Sequence, residues 1–152
     1  MIYMDSSALV KKYFEEKGSE KIKSLLEGNV AITSKLAYPE LLSAFTRNHR
    51  SKDISGTDYR RALNDLESDW TAMLIIDFQD ELFPIIKRTL EKYHLKGADS
   101  VHLSSALWLE EKSKQDIVFV ASDFNLLKAA KAEKLKTLNP QDDVPTATFQ
   151  HG

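Results

Sequence analysis

The chain alternates short, continuous apolar runs with longer segments that carry apolar residues at helical spacing. The runs are rich in β-branched or bulky residues, which is typical of strands buried on both faces of a parallel sheet. We therefore predict buried strands at residues 2–4, 30–33, 73–76 and 117–120, and a more polar edge strand at residues 135–138.

Helical patterns fill the intervals between these runs. Strands that alternate with helices imply right-handed crossovers. The pattern therefore predicts an α/β fold, a three-layer α/β/α sandwich around a central, mainly parallel sheet of four to five strands. Residues 1–138 are predicted to form a single domain. Residues 139–152 have no periodicity and are predicted to be a loosely ordered C-terminal tail.

Composition excludes several classes of site. The 152 residues contain no cysteine, so disulfides, thiolate zinc sites and a cysteine nucleophile are excluded. No apolar run approaches the roughly 18 residues of a membrane span, and no basic stretch leads into a signal peptide at the N-terminus. We therefore expect a cytoplasmic protein with no membrane partner. A net charge of −2 argues against holding nucleic acid by a bulk positive field, although a local basic rim stays compatible with it.

Acidic residues recur at one topological position. Asp5 follows the first predicted strand, Asp123 follows the fourth, and Asp99 opens the helix predicted at residues 101–109. Carboxyl ends of parallel strands and helix N-termini meet at the same edge of a sheet, so these acids are expected to converge. Glu40, near the start of the helix after the second strand, is the fourth candidate.

Each acid has an ordinary structural explanation when taken alone. Aspartate is a favoured helix N-cap, and all three aspartates stand where caps belong. Glu40 alone is a typical solvated helix position. Four carboxylates in one crevice repel each other unless they are neutralised. Mg²⁺ or Mn²⁺ supplies that neutralisation with oxygen ligands, and the sequence therefore predicts a divalent-cation site.

The chain resembles PIN-domain ribonucleases, specifically the VapC-type toxins of toxin–antitoxin pairs. The resemblance lies in the order and spacing of four stretches, IYMDSSALVKKYFEEKGSE, YPELLSA, LKGADSVHLSSAL and FVASDFNLLKAAK, which run from residue 2 to residue 131. It implies a parallel PIN-like α/β/α fold, an acidic Mg²⁺/Mn²⁺ site, endoribonuclease activity on RNA, homodimers and inhibition by a small antitoxin. Its acidic quartet matches Asp5, Glu40, Asp99 and Asp123.

One position departs from the family pattern. The family often has Thr or Ser two residues before the last aspartate, and here that position is Ala121. Ser122 stands beside the aspartate instead, so a hydroxyl contact there is either absent or supplied differently. Ser6, beside Asp5, is a further polar candidate, and helix capping is its alternative role.

A phosphodiester gains negative charge on its attacking and leaving oxygens during hydrolysis. A bound Mg²⁺ or Mn²⁺ stabilises that charge, orients the substrate and activates water. Our hypothesis gives Asp5 and Asp99 the central ligand roles. Glu40 and Asp123 would ligate a second ion, hold a metal-bound water or help to deprotonate it. The resemblance implies products with a 5′-phosphate and a 3′-hydroxyl.

Other polar residues are weaker candidates. His102 lies three residues after Asp99 and so shares a helix face with it, but its helix is broadly apolar. A packed, hydrogen-bonded role is therefore favoured over a ligand role. Six cations near the acids in sequence are candidates for RNA contact, with simple solvation as the alternative for each: Lys11, Lys12, Lys35, Arg47, Lys96 and Lys128.

Three functions remain open from the sequence. The first is a metal-dependent endoribonuclease that acts as the toxin of a type II toxin–antitoxin system. The second is a PIN-domain nuclease of RNA maturation or decay that has no antitoxin. The third is a non-catalytic PIN-like binding module, against which the presence of all four acids argues. A haloacid dehalogenase-type phosphatase needs a second Asp where this chain has Ser7.

Overall fold

The structure, a computed structural model, describes residues 1–142 and is built on five parallel strands in the order β3-β2-β1-β4-β5. The strands are β1 Ile2–Met4, β2 Ala31–Ser34, β3 Leu74–Ile76, β4 Val118–Val120 and β5 Lys136–Leu138. The predicted α/β class and parallel sheet are confirmed. Four predicted strands began one residue too early; Val30, for example, is 61% exposed and lies just outside β2.

Seven helices fill the intervals between the strands in the described part of the chain. They are α1 Ser6–Tyr13, α2 Ser19–Leu26, α3 Ala37–Arg50, α4 Gly56–Trp70, α5 Phe83–Lys92, α6 Gly97–Ser113 and α7 Phe124–Ala132. A single 3-10 turn at Asp80–Leu82 leads into α5.

Two hydrophobic cores lie on opposite faces of the sheet. Successive side chains of a strand point to opposite faces. Tyr3 and Phe119 therefore pack in one core with residues of α6 and α7, while Met4 and Val120 pack in the other with residues of α1, α2, α3 and α4. The sheet is thus covered on both sides, as the predicted three-layer sandwich requires.

The two edge strands differ from the prediction in different ways. β5 is an edge strand, as its polar sequence predicts. β3 was predicted to be buried on both faces, and this was wrong because β3 is the other edge of the sheet. Leu74 in β3 is 47% exposed, and only Ile76 of that strand is buried.

A turn at residues 139–142 packs against the loop between α1 and α2. The amide of Gln141 donates to the Asn139 side chain at 3.0 Å, and Pro140 is buried. Gly18 allows this approach, because a Cβ at that position would lie 2.9 Å from the carbonyl oxygen of Pro140. The first four residues of the predicted tail are therefore packed on the domain, and residues 143–152 lie outside the described residues. Among residues 1–142, no helix has the length and apolar character to cross a membrane.

Candidate active site

Two of the predicted acids cap helices that follow the central strands. Asp5 is the N-cap of α1 and accepts a hydrogen bond from the amide of Ala8 at 3.0 Å. Asp123 is the N-cap of α7 and accepts from the amide of Leu126 at 2.9 Å. Asp5 is 3% exposed whereas Asp123 is exposed, so the two caps stand in different solvent environments.

Asp99 was expected to be a cap as well, and this was wrong. The N-cap of α6 is Lys96, so Asp99 lies inside the first helical turn and its carboxylate does not cap the helix. Asp99 lines a concavity of about 400 Å³ together with Asp123, Lys96 and Asn125. The structure therefore brings two of the predicted acids to one solvent-accessible hollow.

Burial dominates the electrostatics of Asp5. It raises the pKa of this carboxyl from 3.8 to about 6, although the charge of His102 and the hydrogen bonds from Ser7 and Ala8 act to lower it. The charge of Asp99 raises the pKa of Asp5 further. A carboxylate in this position is therefore stabilised by any cation that reaches it.

Asp99 is coupled to the other acids. Burial raises the pKa of Asp99 first, and the charges of Asp123 and Glu40 raise it further, while Lys96 lowers it. Because such effects fall with distance, Asp99 lies within electrostatic reach of the other three predicted acids. We call the end of the sheet that carries the four acids the acidic edge.

Ser7 links Asp5 to the loop after β4, a role that was not predicted from the sequence. Its hydroxyl reaches both carboxylate oxygens of Asp5, at 2.7 and 2.9 Å, and accepts a hydrogen bond from the amide of Ser122 at 3.1 Å. The available signal was a hydroxyl two residues after an aspartate that ends a strand. Ser6, which was singled out instead, has no side-chain hydrogen bond within residues 1–142, and the buried hydroxyl of Ser122 has no partner there either.

His102 is buried next to the acidic edge and contacts Glu40. Its ring is 1% exposed, and the hydroxyl of Tyr3 lies 2.8 Å from Nδ1. Nε2 lies 2.6 Å from Oε1 of Glu40, whose side chain is 28% exposed. His102 is therefore packed and hydrogen bonded through both ring nitrogens, as the favoured interpretation of the sequence expects.

The four acids supply oxygen ligands of the kind that hard divalent cations take. Within residues 1–142, however, no three His, Cys, Asp or Glu side chains stand close enough together to hold one metal ion directly. Mg²⁺ commonly binds through one or two carboxylates and keeps several waters. Asp99 and Asp123 on their shared hollow fit that mode of binding, and a closed cage of four carboxylates does not fit.

Two of the six candidate cations are engaged away from the edge. Lys11 is 3% exposed and donates to Glu16 at 2.8 Å. Lys12 pairs with Asp69 at 2.5 Å. Neither ammonium group is presented to an incoming phosphate in this arrangement.

The remaining four candidate cations line concave surfaces. Lys96 borders the hollow of Asp99 and Asp123, and Lys35 borders an apolar pocket beside Trp70 and Phe78. Lys128 lines a groove between α7 and β5. Arg47 lines a concavity of about 500 Å³ on α3 with Arg50, Ser43, Thr46 and Ser51.

Sequence comparison identifies relatives along most of the chain. A family model described as the PIN domain matches residues 2–134. Ribonuclease VapC45 and ribonuclease VapC49, both from Mycobacterium tuberculosis, are each 33% identical to this chain over 108 residues, which is 70% of this chain and 75% of each relative.

Structure comparison finds the same architecture in solved proteins. FitAcB from Neisseria gonorrhoeae has a TM-score of 0.67 at 15% identity, covering 92% of this chain and 98% of that one. VapBC2 from Rickettsia felis, bound to a DNA fragment from its promoter, has a TM-score of 0.62 at 17% identity, covering 91% and 98%. At these identities the likeness concerns the fold.

Proposed function

The chain belongs to the PIN-domain family, and from that premise we propose that it is a Mg²⁺- or Mn²⁺-dependent endoribonuclease that acts as the toxin of a type II toxin–antitoxin pair. The observation that carries the proposal is the mutual coupling of the acids. The charges of Asp123 and Glu40 raise the pKa of Asp99, and the charge of Asp99 raises the pKa of Asp5. Like charges that act on each other in this way are costly unless they are compensated, and a divalent cation relieves that cost.

The residues at the edge fit a partly hydrated cation. Asp99 and Asp123 would hold it from the open hollow, with Asp5 acting from the buried side and Glu40 on a bound water or on a second ion. When bound, the ion would stabilise the charge that develops on the phosphate oxygens and lower the pKa of a coordinated water.

The chain's own residues would do three further things. Asp5, held by Ser7 and by the amide of Ala8, keeps a buried negative charge in a fixed orientation. Glu40, in contact with His102, would accept the proton of the attacking water. Lys96, at the rim of the hollow, would attract the incoming phosphate.

The exposed side of α3 offers a path for the RNA strand. Arg47 lies two turns beyond Glu40, a rise of about 10 Å along the helix axis. Arg47 and Arg50 line one concavity and form no ion pair within residues 1–142, so both guanidinium groups are open to phosphates. A strand with its scissile phosphate at the acids would pass these arginines a few nucleotides away.

The proposed partners follow from the relatives. The relatives by sequence are named ribonuclease VapC, and one solved structure with this fold is a toxin–antitoxin complex from Klebsiella pneumoniae with a TM-score of 0.60. For this chain we propose a small antitoxin that covers the acidic edge, a homodimeric active form and a cytoplasmic location. A basic side chain of the antitoxin would neutralise the acids in place of a cation.

Incubation of the purified protein with a mixed RNA pool tests the activity. Cleavage is expected with Mg²⁺ or Mn²⁺, with none in chelator, and the products should carry 5′-phosphates. The double variant Arg47→Ala/Arg50→Ala should raise KM with kcat little changed, because these side chains bind RNA away from the reacting phosphate. Lys114→Ala, on an exposed lysine after α6, is the matched control.

Cleavage that persists in chelator would overturn the metal requirement, whereas inactivity with every cation and RNA tested would overturn the nuclease assignment. The toxin role is tested separately. Expression should arrest growth, and co-expression of an antitoxin encoded by a small gene adjacent to it should relieve the arrest. An active nuclease that is harmless on expression would point to RNA processing without an antitoxin.

A further inference from the structure

His102 joins Glu40 to Tyr3 through its two ring nitrogens. An ionised Glu40 carboxylate has no proton to donate, so Nε2 of His102, 2.6 Å from its oxygen, must carry the proton in that bond. The other ring nitrogen, Nδ1, lies 2.8 Å from the hydroxyl of Tyr3. Both ring nitrogens are therefore engaged, and the ring is held from both sides.

The surroundings of Tyr3 keep it a donor. Tyr3 is fully buried, and its ring stacks on Phe119 with centroids 5.4 Å apart. Burial raises the pKa of Tyr3 well above its ordinary value, and the charges of Asp5 and Glu40 raise it further. The phenol therefore keeps its proton, and the stacked ring holds the hydroxyl beside His102.

We propose that His102 is a positioning residue for Glu40 and is itself held in place by Tyr3. The bond occupies Oε1 of Glu40 and fixes the plane of the carboxylate. Within residues 1–142 no other side-chain hydrogen bond reaches Glu40, so Oε2 is left for the water or cation at the edge. This inference rests on the proposed function for the role of Glu40, but the hydrogen bonds of His102 do not depend on it.

The hydrogen bond to Glu40 is measurable without any activity. Long-range proton–nitrogen NMR on protein labelled at histidine nitrogens reports which ring nitrogens carry a proton. The wild-type protein should show a proton on Nε2 of His102. In Tyr3→Phe the contact at Nδ1 is lost, and the Nε2 proton should exchange with water faster. A wild-type ring with no proton on Nε2 would overturn the proposal.

Kinetics separate positioning from packing. Tyr3→Phe should lower kcat by about 10-fold with KM within about twofold, since outer contacts of metal-site residues typically contribute 10- to 100-fold. Tyr13→Phe is the matched control, because that hydroxyl donates to Asp69, which lies outside the acidic edge. His102→Gln keeps an amide donor for Glu40 and should retain more kcat than His102→Leu, which has similar bulk but no donor.

Two further readouts keep the test decisive. Mn²⁺ titration calorimetry on the same variants should show affinity about 10-fold weaker in His102→Leu than in the wild type. If the wild type cleaves no RNA yet the proton on Nε2 and the Mn²⁺ effect are found, the proposed function fails and the positioning role stands. Equal kcat and equal Mn²⁺ affinity in His102→Leu and His102→Gln would overturn the positioning role, and Tyr3→Phe supplies the same answer if His102→Leu does not fold.

Discussion

The acidic edge has two halves that differ in how the protein treats its carboxylates. In the closed half, Asp5 is buried and bonded to Ser7, and Glu40 contacts His102. In the open half, Asp99 and Asp123 line a hollow that opens to solvent. The closed half is thus arranged by the chain itself. In the open half, both oxygens of Asp99 and Oδ2 of Asp123 have no hydrogen bond within the described residues.

This difference suggests that the two halves have different roles in the reaction. Carboxylates that are held by packing and hydrogen bonds keep one geometry, which is what a preorganised catalytic group needs. Carboxylates on an open hollow admit a hydrated ion and a phosphate, and they tolerate exchange of both. The closed half would therefore govern kcat, and the open half would govern affinity for the cation and the RNA.

The largest expected effect is that of Asp5→Asn. Loss of this buried charge should reduce cleavage by roughly 10³-fold or more, comparable with the loss of a major transition-state contact. Folding should be intact, because asparagine is also a good N-cap and can still accept from Ala8. RNA cleavage rate and melting temperature are measured together. An Asp5→Asn protein with wild-type activity would remove the distinction between the halves.

The second effect is on stability and follows from the raised pKa of Asp5. The folded state holds this proton more tightly than the unfolded chain does, so the contribution of Asp5 to stability is present below about pH 4 and is lost as pH rises through about 6. The difference between 3.8 and about 6 corresponds to about 3 kcal/mol.

Urea unfolding in chelator at several pH values checks this effect. The unfolding free energy of Asp5→Asn relative to wild type should rise by up to about 3 kcal/mol between pH 4 and pH 7.5. Ser6→Ala, next to Asp5 and without a titratable group, is the matched control, and its difference from wild type should not change with pH. A flat difference for Asp5→Asn would mean that its burial has no electrostatic cost.

The third effect concerns the link between the halves. Ser7→Ala removes the hydroxyl that bonds Asp5 and the amide of Ser122, and it should lower kcat by about 10- to 100-fold. Ser6→Ala is its neighbour and control, and should stay within about twofold because Ser6 has no side-chain hydrogen bond in the described residues. Equal losses in both variants would show that Ser7 has no special role.

The smallest effect is expected in the open half. Lys96→Ala removes a charge that lowers the pKa of Asp99, so this carboxyl should bind protons more readily. KM for RNA should rise by a few-fold, and kcat should be nearly unchanged, because a rim charge is screened by solvent. Steady-state kinetics at two salt concentrations measure this, and a kcat loss as large as that of Ser7→Ala would contradict the assignment of the halves.

The open half was easier to predict from the sequence than the closed half. Asp123 follows the apolar run IVFV, which clearly predicts a strand. Because the carboxyl ends of parallel strands lie at one edge of the sheet, this strand also predicts the edge at which Asp123 lies. Asp99 was assigned to the correct edge but to the wrong helical position, since helix starts are hard to locate without a cap residue and α6 begins at Gly97 after Lys96.

The closed half depends on partners that are distant in sequence. Ser7 bonds the amide of Ser122, 115 residues away, and His102 joins Tyr3 to a glutamate on α3. Local patterns carry no information about such pairings. Lys11 is a different case, because its partner Glu16 is only five residues away, but the burial of the lysine depends on how the whole domain packs.

The central position of β1 has a consequence for biosynthesis. Residues 2–4 pair with residues 31–32 on one side and with residues 118–120 on the other. Translation proceeds at roughly 5–20 residues per second, so β1 and Asp5 leave the ribosome several seconds before β4 and the Ser122 amide exist. A nascent chain therefore carries an incomplete acidic edge for most of its synthesis, and nuclease activity would arise only once nearly the whole domain has been made.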